Sequence, residues 1–229
     1  MTVNFTKFLN FVKCNNLMKK CAFTLAEVLI TLGIIGVVAA ITLPILVQNY
    51  QKKVTVERLK QTYSILSQAI KMSEIDNGPV EEWNIPTESN AYEHGKQFSE
   101  QYITPYMKTI KTIKSTSNRF TIILNNGVYF AVWPRNSLVE FIIDINGNKG
   151  PNERAKDRFT LILTAKNINN SVFGTNIKKG SFVFYGQGYD RNYLKKRGYP
   201  CAKSGTLAGL YCGALIFLDG WQIAKDYPW

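Results

Sequence analysis

From Val28 to Val47 the chain reads VLITLGIIGVVAAITLPILV, 20 residues without a charge. As an α-helix this run would be roughly 30 Å long, the thickness of a bilayer's hydrocarbon core. It would be apolar on every face, so it needs lipid or a large core around it. Beyond it the pattern changes. Val56, Leu59, Tyr63, Leu66 and Ile70 recur at spacings of three and four, with Lys52, Lys53, Glu57, Arg58, Lys60 and Gln61 at other positions. That marks one apolar face on a continuing helix, suited to packing on a folded domain. Asn77-Gly78-Pro79 ends it.

The rest alternates as strands do. A short helix is expected over Ala91–Lys111, interrupted at Pro105. Phe120–Leu124, the turn Asn125-Asn126-Gly127 and Val128–Trp133 make a strong hairpin signal. Val139–Ile145, Phe159–Thr164, Ser181–Tyr185 and Ala214–Leu218 read as further strands, and Gly186–Gly209 as a long loop. The expected fold class is α+β, an antiparallel sheet laid on the polar-flanked half of a long N-terminal helix.

The segment 1–22 holds Lys7, Lys13, Lys19 and Lys20 and no acid. By the positive-inside rule it stays in the cytoplasm and the remainder is exported. Ile41-Thr42-Leu43-Pro44 lacks the small-residue pattern of a signal-peptidase site, and Cys21 precedes the run where a lipoprotein cysteine would follow it. An ordinary signal anchor needs only charge and then apolar length. Glu27, at the head of the run, is unexplained by that reading. A carboxylate at the bilayer centre costs about 2.5–3.5 kcal/mol on insertion scales, and less near the interface. Such an acid implies a cationic partner, and the nearest new cation would be an N-terminal amine released by a cut just upstream.

Lys19-Lys20-Cys21-Ala22-Phe23-Thr24-Leu25-Ala26-Glu27-Val28-Leu29-Ile30 resembles the cleavage site of the prepilin-type family, the type IV pilins and type II secretion pseudopilins. The resemblance implies removal of a basic leader by prepilin peptidase between Ala22 and Phe23, and N-methylation of Phe23. Glu27 is then the fifth mature residue, and Pro44 falls where the family often has a helix-kinking proline. It also implies Glu27 pairing with the Phe23 amine of a neighbouring subunit, which favours docking in one register. Gly33, Gly36, Ala39 and Ala40 either let helices approach closely or reflect ordinary membrane-helix composition. The family usually has glycine before the cut; Ala22, the next smallest side chain, implies slower or equal cleavage. Met18 would open a leader of normal length, so it is an alternative start to Met1. The expected organisation is a leader (1–22), a transmembrane half-helix (23–47), an exported amphipathic half (48–76) and an extracytoplasmic head (77–229). The expected location is the bacterial inner membrane, with other pilin-like subunits as partners.

Composition and the remaining side chains add further points. The formal charge is +12, and without the leader 24 basic residues face 16 acidic ones. That surplus suits an acidic partner or is simply a basic soluble surface. Tyr185, Tyr189, Arg191, Tyr193, Lys195, Lys196, Arg197 and Tyr199 interleave rings and cations, so the alternative to a purely structural subunit is a minor pilin whose basic head binds DNA or a surface. Cys201 and Cys212 would close a short loop worth about 3 kcal/mol as a disulfide in an oxidising compartment, or are two unrelated buried thiols. Asp144, Asn146, Asn148 and Asp157 place side-chain oxygens around a Gly-rich segment. They form a tight turn bonding its own backbone, or hold a structural calcium. The EF-hand pattern is broken, since the glycine comes one place late and Ala155 stands where the bidentate Glu belongs. The single histidine, His94, has no cysteine near it and no G-x-S-x-G elbow accompanies it, so no catalytic role and no other cofactor is expected.

Overall fold

The computed structural model describes residues 23–86, 91–114, 118–135, 137–147, 149–170, 172–205 and 207–229. The leader 1–22, with Ala22, and Asn148 lie outside the described residues. The chain divides into two compact units, one ending at Val47 and one running from Gln48 to Trp229. A single helix, α1 (Leu25–Asn77, 53 residues), runs through the boundary with Pro44 inside it.

In the first unit α1 is apolar and exposed, with Ile30, Ile34, Val37, Ile41 and Leu46 all more than half accessible. In the second unit α1 behaves as its spacing predicts. Val56, Leu59, Leu66 and Ile70 are buried, and Tyr63 stacks on Phe182 and Phe184 at 5.6 and 5.5 Å. Gly78 then takes φ +76°, the left-handed conformation that stops a helix, and Pro79 cannot extend it.

The sheet packed on this helix has six antiparallel strands in the order β1-β2-β3-β4-β5-β8. They are β1 (Thr109–Lys114), β2 (Phe120–Leu124), β3 (Tyr129–Arg135), β4 (Leu138–Asp144), β5 (Arg158–Thr164) and β8 (Phe182–Phe184). A small hairpin, β6 (Ile168–Asn170) with β7 (Gly174–Ile177), is inserted before β8. The expected β2–β3 hairpin is present. Gly127 at φ +81° donates its N–H to Leu124, and Leu124 donates to Val128. Along β3, Phe130 and Val132 are buried while Tyr129, Ala131, Trp133 and Arg135 are half-exposed, so the strand has a core face and an outer face. With Val139, Phe141, Leu161 and Phe184 the core face forms one hydrophobic cluster with α1.

Three expectations need correction. Ala214–Leu218 is helical, not extended: α4 spans Cys212–Leu218. Its residues 212–216 are all buried, so the run shows no alternation and periodicity cannot separate helix from strand. Gly213 decides the packing, because a Cβ there would lie 2.5 Å from Phe184 Cδ1. The helix begun at Ala91 stops at Tyr102 (α2, Ala91–Tyr102); a single 3-10 turn carries Pro105, and β1 follows. Pro105 lacks the N–H a helix would need, and Thr109, Thr112 and Ile113 are β-branched. The segment 186–209 holds α3 (Arg191–Lys196), capped by Asp190 accepting the N–H groups of Asn192 and Tyr193.

Candidate functional site

The N-terminal end of α1 is built by two side chains three residues apart. Thr24 precedes the helix and Glu27 closes its first turn. The Thr24 amide donates to Glu27 Oε2 at 2.9 Å, and the Thr24 hydroxyl donates to the same oxygen at 2.8 Å. In return the Glu27 amide donates to Thr24 Oγ1 at 3.2 Å. This is a capping box: the two residues reciprocally satisfy backbone donors that the first turn leaves open, and the carboxylate sits at the positive end of the helix dipole. Sequence reasoning singled out Glu27 but missed Thr24, although T-x-x-E before an apolar run is its signature. A carboxylate has about four lone-pair sites. The bonds to Thr24 use Oε2 alone and leave capacity for an incoming cation.

Behind this cap, α1 is long and apolar enough to cross a membrane. Thr31 and Thr42 return their hydroxyls to carbonyls one turn back, at 2.9 Å, so neither presents an unmet polar group to lipid. Nothing lies within 4 Å of a Cβ placed at Gly33 or Gly36, so both present open backbone on the helix surface.

In the head, Cys201 and Cys212 form a disulfide with an S–S distance of 1.99 Å. It joins the segment after α3 to the first residue of α4. The ring-and-cation segment is largely engaged within the fold. Arg191 donates to both carboxylate oxygens of Asp219 and of Asp226, and Lys195 also pairs with Asp226. These partners hold the exposed Asp226 far below the usual carboxylate range, through its bonds to Arg191 first and Lys195 next. Tyr189 stacks on Tyr193 at 4.0 Å, and Tyr185 is buried.

The Asp/Asn loop is assembled as a turn. Asp157, buried, accepts the amides of Asn152 and Glu153 at 2.7 and 2.6 Å and the side-chain amide of Asn146 at 3.3 Å. Asp144 accepts the Asn146 amide at 3.4 Å and pairs with Arg158 at 3.0 Å. Asp144 is raised above its usual pKa mainly by burial, and the Arg158 bond partly offsets this. The Asp144 and Asp157 oxygens accept these N–H donors, while Asn146 Oδ1 is buried without a hydrogen-bond partner among the described residues. Among the described residues no group of three or more His, Cys, Asp or Glu is placed to hold a metal. The loop instead joins other elements. Thr55 donates to Lys156 O, Arg58 to Ile145 O and Tyr227 to Ala155 O.

A capped, uncharged helix of membrane length, followed by an amphipathic half carrying an antiparallel sheet, defines the pilin-like class of α+β subunit. A model of the prokaryotic N-terminal methylation motif matches residues 17–43, which supports a pilin- or pseudopilin-type substrate of prepilin peptidase. The chain belongs to a family of unknown function, DUF6613, whose model matches residues 45–229. No curated protein and no solved structure matches it. The methylation motif implies a structural subunit rather than an enzyme, assembling with other pilins, and the apolar helix fits a single-pass inner-membrane protein.

Proposed function

We propose that the protein is a structural subunit of a type II secretion pseudopilus or a type IV pilus-type filament. It is cut between Ala22 and Phe23, methylated on Phe23, and assembled through α1. The observation that carries this reading is the placement of Glu27: five residues into the mature chain, capped by Thr24, at the head of an uncharged helix. In a bundle of such helices the Phe23 amine of one subunit would meet the Glu27 carboxylate of another. The pairing neutralises two charges that are costly in a low-dielectric setting and fixes the axial register. Pro44 would kink the helix where a missing N–H loosens it. By the positive-inside rule the leader lysines favour a cytoplasmic N-terminus and an exported head. The Cys201–Cys212 bridge supports an exported, oxidising location for the head.

The alternative of a DNA-binding minor pilin acting through 185–199 has less support, because Arg191 and Lys195 are already committed to carboxylates. The deciding experiment is mass spectrometry of the N-terminus of protein recovered from membranes. A chain beginning at N-methylated Phe23 is the expected result. A chain that retains Lys19–Ala22 would make this an ordinary anchored protein and overturn the filament reading.

A further inference from the structure

Past the uncharged run that ends at Val47, α1 meets no acid until Glu57, and Lys52 and Lys53 come first. At 1.5 Å per residue Lys52 lies about 8 Å beyond Val47 along the helix. The headgroup layer adds roughly 5–8 Å to each side of a bilayer's hydrocarbon core. A bilayer that holds the run therefore brings its headgroups to Lys52. Tyr50, between Val47 and Lys52, is 69% exposed, which suits an aromatic residue at a membrane interface.

Lys52 belongs to a cluster that the fold of the second unit assembles. Its Nζ lies over the Trp229 ring, 5.9 Å from the centroid. Trp229 in turn lines an open recess of about 440 Å³ with Arg154, Lys156 and Lys203. Thr55, next along α1, donates to Lys156 O at 3.3 Å, and the Tyr227 hydroxyl donates to Ala155 O at 2.6 Å. These bonds tie the 153–156 loop both to α1 and to the last residues of the chain. Gly209 lets its segment close on the same loop, since a Cβ there would lie 2.6 Å from Arg154 Cβ. Arg154 and Lys203 are exposed. Among the described lining residues the one acidic side chain is Glu153, which pairs with Lys156 at 2.7 Å. Lys52, Lys53, Arg154, Lys156 and Lys203 thus face Glu153 and the carboxylate of Trp229, five cations against two acids, a surplus of three.

We propose that this basic face of the head docks on the anionic lipid surface of the membrane that holds α1. Position selects the occupant as much as charge does. The apolar run tethers the face to lipid through a few residues of helix, so headgroup phosphates reach it at an effective concentration that a soluble acid does not match. Each Lys or Arg brought to an anionic lipid surface is worth roughly fivefold in affinity. Trp229 sets an amphipathic ring beside Lys52, a residue type that settles at headgroup level. A continuous surface of phosphates also suits cations spread over α1, the 153–156 loop and Lys203 better than a single enclosed ligand does. Docking of this kind rests on α1 spanning the membrane, and it has to be undone when a subunit enters a filament.

The test places the full chain in lipid nanodiscs, one chain per disc, made of phosphatidylcholine alone or of phosphatidylcholine mixed with phosphatidylglycerol. The readout is the acetylation rate of individual lysines, followed by mass spectrometry at low salt, where screening is modest. Lys203 is the reporter, because it lies outside α1, whereas Lys52 and Lys53 feel the lipid with or without docking. Lys203 is expected to react about fivefold or more slowly in the anionic discs. Lys71, exposed and far along α1, is expected to react alike in both. Arg154→Glu alters an exposed side chain and is expected to return Lys203 at least halfway to its rate in the neutral discs. Equal Lys203 rates in the two discs, or slowing that Arg154→Glu leaves intact, would overturn the docking alone. Slowing that appears only with two chains per disc assigns the face to a second copy and also overturns it. A chain that does not enter the discs removes the spanning helix, and the docking with it.

Discussion

Single carboxylates in this head do different work according to what surrounds them. Asp157 organises a loop: it is 3% exposed, and its oxygens collect two backbone amides and the Asn146 side chain. Asp157→Ala removes this buried acceptor from its three part-buried donors, and should destabilise the head by about 2–4 kcal/mol. Asp157→Asn keeps one acceptor oxygen and should lose less. Urea unfolding of the full chain in detergent checks both, and an alanine variant as stable as wild type would refute the role. Glu140 has the opposite balance. Burial, the largest influence, pushes its carboxyl above the ordinary value, and Arg135 and Arg119 only partly offset it. Its folded pKa is therefore above its unfolded one, so the folded state binds the extra proton. Stability then falls as pH rises from about 4.3, the unfolded value, up to the raised folded value, and is flat above it. Glu140→Gln should flatten that part of the curve. Urea midpoints for both proteins at about pH 4.5 and 6.5 decide it, since parallel changes in the two would assign the slope elsewhere.

Elements were legible in proportion to how far their burial followed a period. The inner half of α1 was readable because Val56, Leu59, Leu66 and Ile70 bury one stripe, and β2–β3 because Asn126-Gly127 set a turn between apolar runs. α4 was misread because it is buried almost all round, which erases the period. β1 was hidden behind Pro105, where a helix and a strand share one apolar stretch. The N-terminal site was readable as far as Glu27, because a charge in an apolar run is conspicuous. The pairing of Trp133 with Glu140 across β3 and β4 was not, because only the strand register joins them. The disulfide shows the same limit: spacing allowed the bridge, and the fold makes it. It closes 11 residues and ties the end of α3, where Cys201 donates its N–H to Leu194, to the start of α4. Replacing both cysteines by serine should cost about 3 kcal/mol from the regained freedom of the unfolded chain. Reduction of the wild type should lower its urea midpoint to that of the double variant. No difference between oxidised and reduced protein would deny the bridge a stabilising role.

At the scale of the whole molecule the first unit exposes its apolar residues and the second buries a core, and the two roles open to Glu27 can be separated. Its bonds to Thr24 cap α1 within one chain and need no partner. In the proposed filament its negative charge would instead be met by the amine of another chain. Glu27→Gln keeps an acceptor oxygen for the cap and removes the charge, whereas Thr24→Val keeps the charge and removes the hydroxyl half of the cap. If capping is all that Glu27 does, the two variants should behave alike, each losing about 1 kcal/mol of helix stability and nothing else. If the charge aligns subunits, Glu27→Gln should insert normally, fold its head with the same disulfide, and fail to form filaments, while Thr24→Val should still assemble. The measurement is the amount of subunit in sheared filaments relative to the amount in membranes for the three proteins. Filaments from Glu27→Gln at the wild-type level would remove the charge from the assembly mechanism and leave the carboxylate with its helix cap alone.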